Sequence, residues 1–417
     1  MLTETRKTDP ELARLVEEEY QRQEDNIEMI ASESTAPIAV MELAGSVFTN
    51  KTLEGYPGGR YQAGSQVADK VELLGIERAK ELFKADHVNI QPYSGSTANY
   101  SVYAAILEKG DRILSMRLDQ GGHLTHGSPA NWMSKFYTFE FYSVDKETEQ
   151  IDYEGLRAKA KEYKPRLIIA GASSYPRLID YEAISEIAKE VDAYFMVDMA
   201  HIAGLVAAEI IPSPMPYADF VSSSTTKTFC SARSGMIFCK EQYAKILDKG
   251  AFPGCLGSIH LATMAAKAWS FKYAASKEFK TLMQQVVNNA KTLGAELEKH
   301  GFRLVSGGTD THLLLVDLRG KQITGSKFQQ ALDSISLTVN KNMIPFDTEK
   351  PWITSGVRIG TTAVSQRGMK EEEMVKIGQL MNDVARDYED VEKMKTHKTT
   401  AEGIIAQFPL YPAEYKL

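Results

Sequence analysis

The sequence predicts an α/β protein with a mostly parallel central sheet in a large domain, followed by a smaller α+β domain. Three observations carry this. A strand, an amphipathic helix and a second strand follow one another between Arg166 and His201. An earlier strand runs through a Gly-Ser turn into a helix, and a long helical stretch separates both from a later group of strands. Strand, helix and strand within about three dozen residues form a βαβ unit, whose crossover makes the sheet parallel and covers both faces.

Taken in order, "HVNIQPYSGSTANYSVYAAIL" reads as a strand, the turn at Ser94-Gly95-Ser96, and a helix from about Thr97. "RLIIAG" is a short apolar run. In "YEAISEIAKEV", Ile184, Ile187, Ala188 and Val191 fall at i, i+3, i+4 and i+7, one helical face. "YFMVDMAH" is the next strand, and a further one begins at Asp219-Phe220-Val221 and leads through hydroxyl residues to Lys227. The stretch from Leu261 to Gly301 is helical in pattern, with a break near Ser276. "THLLLVDL" and "GVRIGTT" are strands after it. The division expected from this pattern is an N-terminal arm plus large domain over residues 1–279 and a small domain over 280–417.

A chain of 417 residues is long for one core, which agrees with two domains. A net charge of −7 gives no reason to expect nucleic acid or an anionic membrane as partner. Cys230, Cys239 and Cys255 match no zinc spacing and read as free thiols of a reducing compartment. The charged start "MLTETRKTDPELARLVEEEY" lacks the apolar core of a signal peptide, and no run is long enough to span a membrane. The expectation is a cytoplasmic protein.

In parallel sheets, ligands collect at the carboxyl ends of strands, and three polar clusters fall there. Ser94-Gly95-Ser96 can cradle a phosphate at a helix N-terminus, or simply cap the helix. Asp198 ends an apolar strand with His201 three residues on; it can hold a protonated ring nitrogen or make a structural hydrogen bond. Lys227 follows Asp198 by 29 residues, and burial would make its amine a nucleophile. A lone lysine there more often snorkels to solvent. Phosphate cup, ring-nitrogen carboxylate and amine nucleophile together are what pyridoxal phosphate requires, with an internal aldimine on Lys227. His123 and His126 also read as a metal pair, but no third ligand at suitable spacing accompanies them, and no metal is expected.

The motifs "IASES", "EGYPGGRY", "GGHLTHGSP", "AGASSYPRLID", "VDMAHIAGLVAA", "SGGTDTHLLLVDLR" and "TVNKNMIPFD…TSGVRIGTTA" resemble serine hydroxymethyltransferase nearly end to end. The resemblance implies a fold-type I pyridoxal-phosphate enzyme, with active sites shared across a homodimer and with an amino acid and tetrahydrofolate as small-molecule partners. It implies that Lys227 carries the cofactor with Thr225 beside it, that Asp198 meets the pyridine nitrogen, and that His201 and Ser173 meet the ring oxygen. His123 resembles the histidine that stacks on the ring, while Ser94, Gly95, Ser96 and Gly257 correspond to the phosphate end. Ser32, Tyr61 and Arg358 fall at substrate positions, a guanidinium suiting a carboxylate. Glu54 resembles the carboxylate that handles the substrate's hydroxyl proton from the neighbouring subunit. Leu118, Leu124 and Asn342 fall at positions that line the folate site.

The departures cluster near the substrate and phosphate. Thr52, Gln62 and Thr226 stand where the family has tyrosine, tyrosine and histidine, and Ser258 replaces a glycine. "SGSTAN" has Ser96 and Thr97 in place of Ala-Gln, and "FCSARSG" keeps only Arg233 and Gly235 of its counterpart. The chain therefore looks like a diverged paralogue. The first reading is serine–glycine interconversion with tetrahydrofolate. The second is a folate-independent aldolase on β-hydroxy amino acids, or a hydroxymethyltransferase on an α-methyl amino acid such as α-methylserine. The third is an idle copy that binds cofactor or a partner without turnover; retention of Lys227 together with Asp198 argues against it.

Overall fold

The computed structural model describes residues 2–413 and 415. Two compact units divide the chain: residues 36–284, and the first 35 residues together with the chain from Gln285 onward. The sequence boundary at 279/280 thus falls at Gln284/Gln285, inside one helix, and the N-terminal arm groups with the C-terminal portion.

The large unit holds a seven-stranded sheet. In chain order its strands are β1 (His87–Asn89), β2 (Arg112–Met116), β3 (Thr138–Tyr142), β4 (Leu167–Gly171), β5 (Tyr194–Asp198), β6 (Phe220–Ser224) and β7 (Gly235–Cys239). Their spatial order is β1-β7-β6-β5-β4-β2-β3. From β6 to β3 every pairing is parallel; β7 runs antiparallel to β6 and β1. The five residues of β4 are all buried, as are those of β6 and β7, which fits strands covered on both faces.

The helices of this unit include α1 (Gln66–Phe83), α2 (Gly95–Ile106), α3 (Tyr181–Glu190), α4 (Leu261–Ala274) and the start of α5 (Lys277–Lys299). In α3, Ile184, Ile187 and Ala188 are buried as the periodicity predicts, and Asp180 caps the first turn by accepting from the Ala183 N–H at 3.0 Å. Each buried isoleucine contributes roughly 1.5–3 kcal/mol. The expected break near Ser276 separates α4 from α5, and the Ser276 hydroxyl accepts from the Phe279 N–H at 3.1 Å.

The small unit is built on an antiparallel sheet of β8 (Arg303–Leu304), β9 (Leu313–Asp317), β10 (Asn340–Asn342) and β11 (Gly356–Gly360), in the order β8-β9-β11-β10. Its core joins Leu314, Val316 and Val357 to helical Phe328, Ile377 and Leu380. Ile27 and Met29 belong to the same core, and Ile27–Glu28 pairs in parallel with Leu337–Thr338. Arg367 adds hydrogen bonds to the carbonyls of Gln23, Glu24 and Asn26. These bonds tie the N-terminal arm here; a two-residue strand leaves no periodic signal by which sequence could place it.

Candidate active site

Adjacent parallel strands bring the carboxyl ends of β4 and β5 into line beside β6. Gly171 of β4 lies opposite Asp198 of β5, which lies opposite Ser222 of β6. The approach is close enough to require glycine at 171. Its φ is +114°, and a Cβ there would sit 2.1 Å from the Asp198 carbonyl oxygen.

Asp198 is 7% exposed and fully hydrogen-bonded. Oδ2 accepts from the Asn99 amide at 2.9 Å and meets His126 Nε2 at 3.1 Å, while Oδ1 accepts from the Ala200 N–H at 3.0 Å. Burial alone would push the carboxyl up. The hydrogen bond and charge of His126, with the charges of His123 and Lys227, outweigh it and hold Asp198 well below the usual carboxylate range. Asn99 is itself oriented by the Ser222 hydroxyl, which donates to its carbonyl, and it donates to Thr125 Oγ1 at 2.8 Å. His123 Nδ1 meets the same Thr125 hydroxyl at 2.8 Å, and the two histidine rings lie edge to face at 5.5 Å. Sequence reasoning left Asn99 unassigned; its position four residues after Gly95 on α2 was the available signal.

His123, His126 and Asp198 offer ligand atoms within 4.8 Å of one another. This corrects the expectation that the histidine pair lacks a third partner: Asp198 is distant in sequence and adjacent in space. N–H groups already meet both carboxylate oxygens, and an acceptor engaged in that way suits a hydrogen-bonding role.

β6 stops at Ser224, so Lys227 lies three residues beyond the strand rather than at its end. The chain turns because the following loop closes on itself. The Thr225 N–H donates to the Ser234 carbonyl at 3.1 Å and its hydroxyl to the Ala232 carbonyl at 2.6 Å. The Ser231 N–H returns to the Thr225 carbonyl at 2.8 Å. Thr225 therefore shapes the loop that presents half-buried Lys227. His201 is buried, its carbonyl accepting from the Thr228 hydroxyl at 2.8 Å, and the Ser173 N–H donates to the Gly121 carbonyl at 2.7 Å.

Ser94 caps α2: its hydroxyl accepts from the Thr97 N–H at 3.1 Å, and Thr97 Oγ1 accepts in return from the Ser94 N–H at 2.8 Å. The helix thus starts at Gly95, two residues earlier than expected. A Cβ on Gly95 would lie 3.3 Å from Ser224 Cβ, so glycine lets the helix N-terminus approach β6. Ser96, on the first turn, is half-buried.

Glu54 and Gly257 form a second group. A Cβ on Gly257 would lie 3.6 Å from Glu54 Oε1, and the Tyr93 hydroxyl, just before Ser94, donates to the Ser258 carbonyl at 2.7 Å. Tyr61 is 76% exposed and packs edge-on against Phe252. Leu118 and Leu124 are 46% and 52% exposed. The other expected residues lie in the small unit. Ser32 is half-buried; Arg358, on β11, donates from Nε to the Asn340 side-chain Oδ1 at 3.1 Å and is pulled down to about 10 by burial. Asn342, on β10, donates to the Met343 carbonyl at 2.6 Å.

The residues present fit pyridoxal phosphate. A buried carboxylate held ionised suits a protonated ring nitrogen, and two buried polar atoms near it, Ser224 Oγ and His126 Nδ1, have no hydrogen-bond partner in the protein. Fold and site together define a fold-type I pyridoxal-phosphate enzyme. The family model for serine hydroxymethyltransferase matches residues 5–381, and the chain belongs to that family. Family membership makes it a pyridoxal-phosphate-dependent, hydroxymethyltransferase-like enzyme of amino-acid and one-carbon metabolism. Among the described residues, no helix is long and apolar enough to cross a membrane.

Proposed function

We propose that this chain interconverts serine and glycine, with tetrahydrofolate carrying the one-carbon unit and pyridoxal phosphate held on Lys227. The observation that carries the reading is Asp198, buried and ionised at the end of β5 and within the electrostatic reach of Lys227. When bound, the cofactor supplies an electron sink for the pair left as a bond to the amino acid's Cα breaks.

Asp198 keeps a proton on the ring nitrogen, and Asn99 and His126 hold Asp198 in place. His123 is the proposed ring contact, with Ser173 and His201 at the ring oxygen and Ser94, Gly95, Ser96 and Gly257 at the phosphate. Arg358 and Ser32 are the proposed contacts to the substrate carboxylate, and Tyr61 is a further proposed substrate residue. Glu54 receives the proton of the substrate hydroxyl. Leu118, Leu124 and Asn342 are the proposed folate contacts, as the resemblance implies. Glu54 is proposed to act in the partner subunit's site, which makes a homodimer part of the reading.

The second reading, a folate-independent aldolase or a hydroxymethyltransferase on α-methyl amino acids, is favoured by one observation. Gln62 stands where the family has tyrosine, and its amide is engaged with Glu54. Incubation with serine, threonine and α-methylserine, each with and without tetrahydrofolate, separates the two. The expected result is glycine from serine with folate present. Faster cleavage of threonine or α-methylserine without folate would replace the first reading by the second.

A further inference from the structure

Glu54 sits on a loop whose backbone is fixed from several sides. The Leu53 N–H donates to Ser258 Oγ at 2.9 Å, and the Ile259 N–H donates to the Leu53 carbonyl at 2.9 Å. The Tyr61 N–H donates to the Glu54 carbonyl at 3.2 Å. The Gly55 carbonyl accepts from the Gln91 amide at 3.0 Å and from the Arg60 guanidinium, which also pairs with buried Glu72. A fixed backbone does not fix a carboxylate, since the glutamate side chain keeps its own rotamers.

Among the described residues, Gln62 is the side chain that holds the carboxylate. Its Oε1 accepts from the Glu54 N–H at 2.8 Å, and its Nε2 donates to Glu54 Oε2 at 2.9 Å. A side-chain amide carries both a carbonyl acceptor and N–H donors, so one planar group can grip backbone and carboxylate together. The tyrosine expected from the resemblance offers one hydroxyl. Glu54 Oε1 lies instead on the side of Gly257, 3.6 Å from where a Cβ would stand, and among the described residues no hydrogen bond engages it.

We infer that Gln62 is a positioning residue for the reaction, orienting Glu54 so that Oε2 is occupied and Oε1 is free to take the substrate's hydroxyl proton. This rests on the role of Glu54 proposed above. As that proton passes to Oε1, the O–H electrons form the carbonyl of the departing one-carbon unit, and the Cα–Cβ pair stays with the glycine portion. A step that leaves the hydroxyl alone, such as exchange of the glycine α-proton with solvent, does not need this orientation.

Three variants of the holoenzyme test it. Gln62→Met removes both hydrogen bonds, Gln62→Glu keeps the acceptor but removes the donor, and Glu54→Gln removes the proton acceptor. Serine cleavage, glycine α-proton exchange in deuterated water, and backbone deuterium exchange at the Glu54 amide are measured on each. Loss of a hydrogen bond to a charged group is expected to lower kcat for serine by about 10- to 100-fold in both Gln62 variants. The serine KM stays within about threefold and glycine exchange within about twofold, since neither reads the hydroxyl proton. The Glu54 amide exchanges faster in Gln62→Met and stays protected in Gln62→Glu. Unchanged serine cleavage in both Gln62 variants beside an inactive Glu54→Gln overturns the inference and leaves Glu54 standing. Equal loss of serine cleavage and glycine exchange also overturns it, by showing a general effect on the site. An active Glu54→Gln removes the role of Glu54, and the inference with it. If the parent prefers threonine, the same comparison is made on threonine, whose hydroxyl proton must also leave.

Discussion

Asp198 lies inside the protein and remains ionised because Asn99, the Ala200 N–H and His126 meet both of its oxygens. Asp198→Asn keeps the size of the side chain but cannot hold a ring-nitrogen proton. Turnover is expected to fall by roughly 100-fold or more, while cofactor absorbance persists after gel filtration. Near-parental turnover would make the residue structural. Arg358 is the second residue whose chemistry decides a function. Its guanidinium is half-buried and held at Nε by the Asn340 side chain, a geometry that an ammonium cannot copy. Arg358→Lys is expected to raise the amino-acid KM by roughly tenfold or more. An unchanged KM would place the carboxylate contact elsewhere.

Strands and their loops carry these residues, and much of that was legible in sequence. The apolar runs and the Ile184–Ile187 face placed β4, α3 and β5 correctly, so Asp198 fell at a strand end as read. The sequence placed Lys227 on the strand because hydroxyl residues continue past Ser224. The loop closure by Thr225 and Ser231 depends on contacts six to nine positions apart, which no periodicity encodes. Asn99 and His126 meet Asp198 across the fold, 99 and 72 residues away, and Gln62 grips Glu54 through a loop, so no periodicity encodes any of these contacts. Lys267, on α4, was equally silent. Fully buried, it donates to the carbonyls of Ile90 and Gly235, joining β1 to β7 just ahead of the Ser94 turn. Burial, opposed by Glu72, pulls its ammonium down to about 7. An unfolded lysine titrates near ~10.4, so between about pH 7 and that value the unfolded chain binds more protons and stability rises with pH. Denaturation midpoints from pH 7.5 to 9.5 should climb in the parent and climb less in Lys267→Met. Parallel curves would show that Lys267 keeps its proton in the folded protein.

At the scale of the whole molecule, the two units and the family match explain why long motifs from both ends of the chain were recognisable, while the placement of the N-terminal arm was not. Thr52 and Ser258, on the same loops as Glu54 and Gly257, are proposed to reach the cofactor's phosphate end from the neighbouring subunit, which predicts that cofactor retention depends on assembly. Dilution through the dimer–monomer transition, followed by ultracentrifugation with detection at the cofactor band, should show cofactor loss following dissociation. Retention by the monomer would contradict a shared site. The most direct test of the central claim is chemical. Holoenzyme is reduced with borohydride, digested, and the pyridoxyl label located by mass spectrometry. Label on Lys227 is the expected result; label on another lysine, or a colourless protein that takes none after incubation with pyridoxal phosphate, would contradict it.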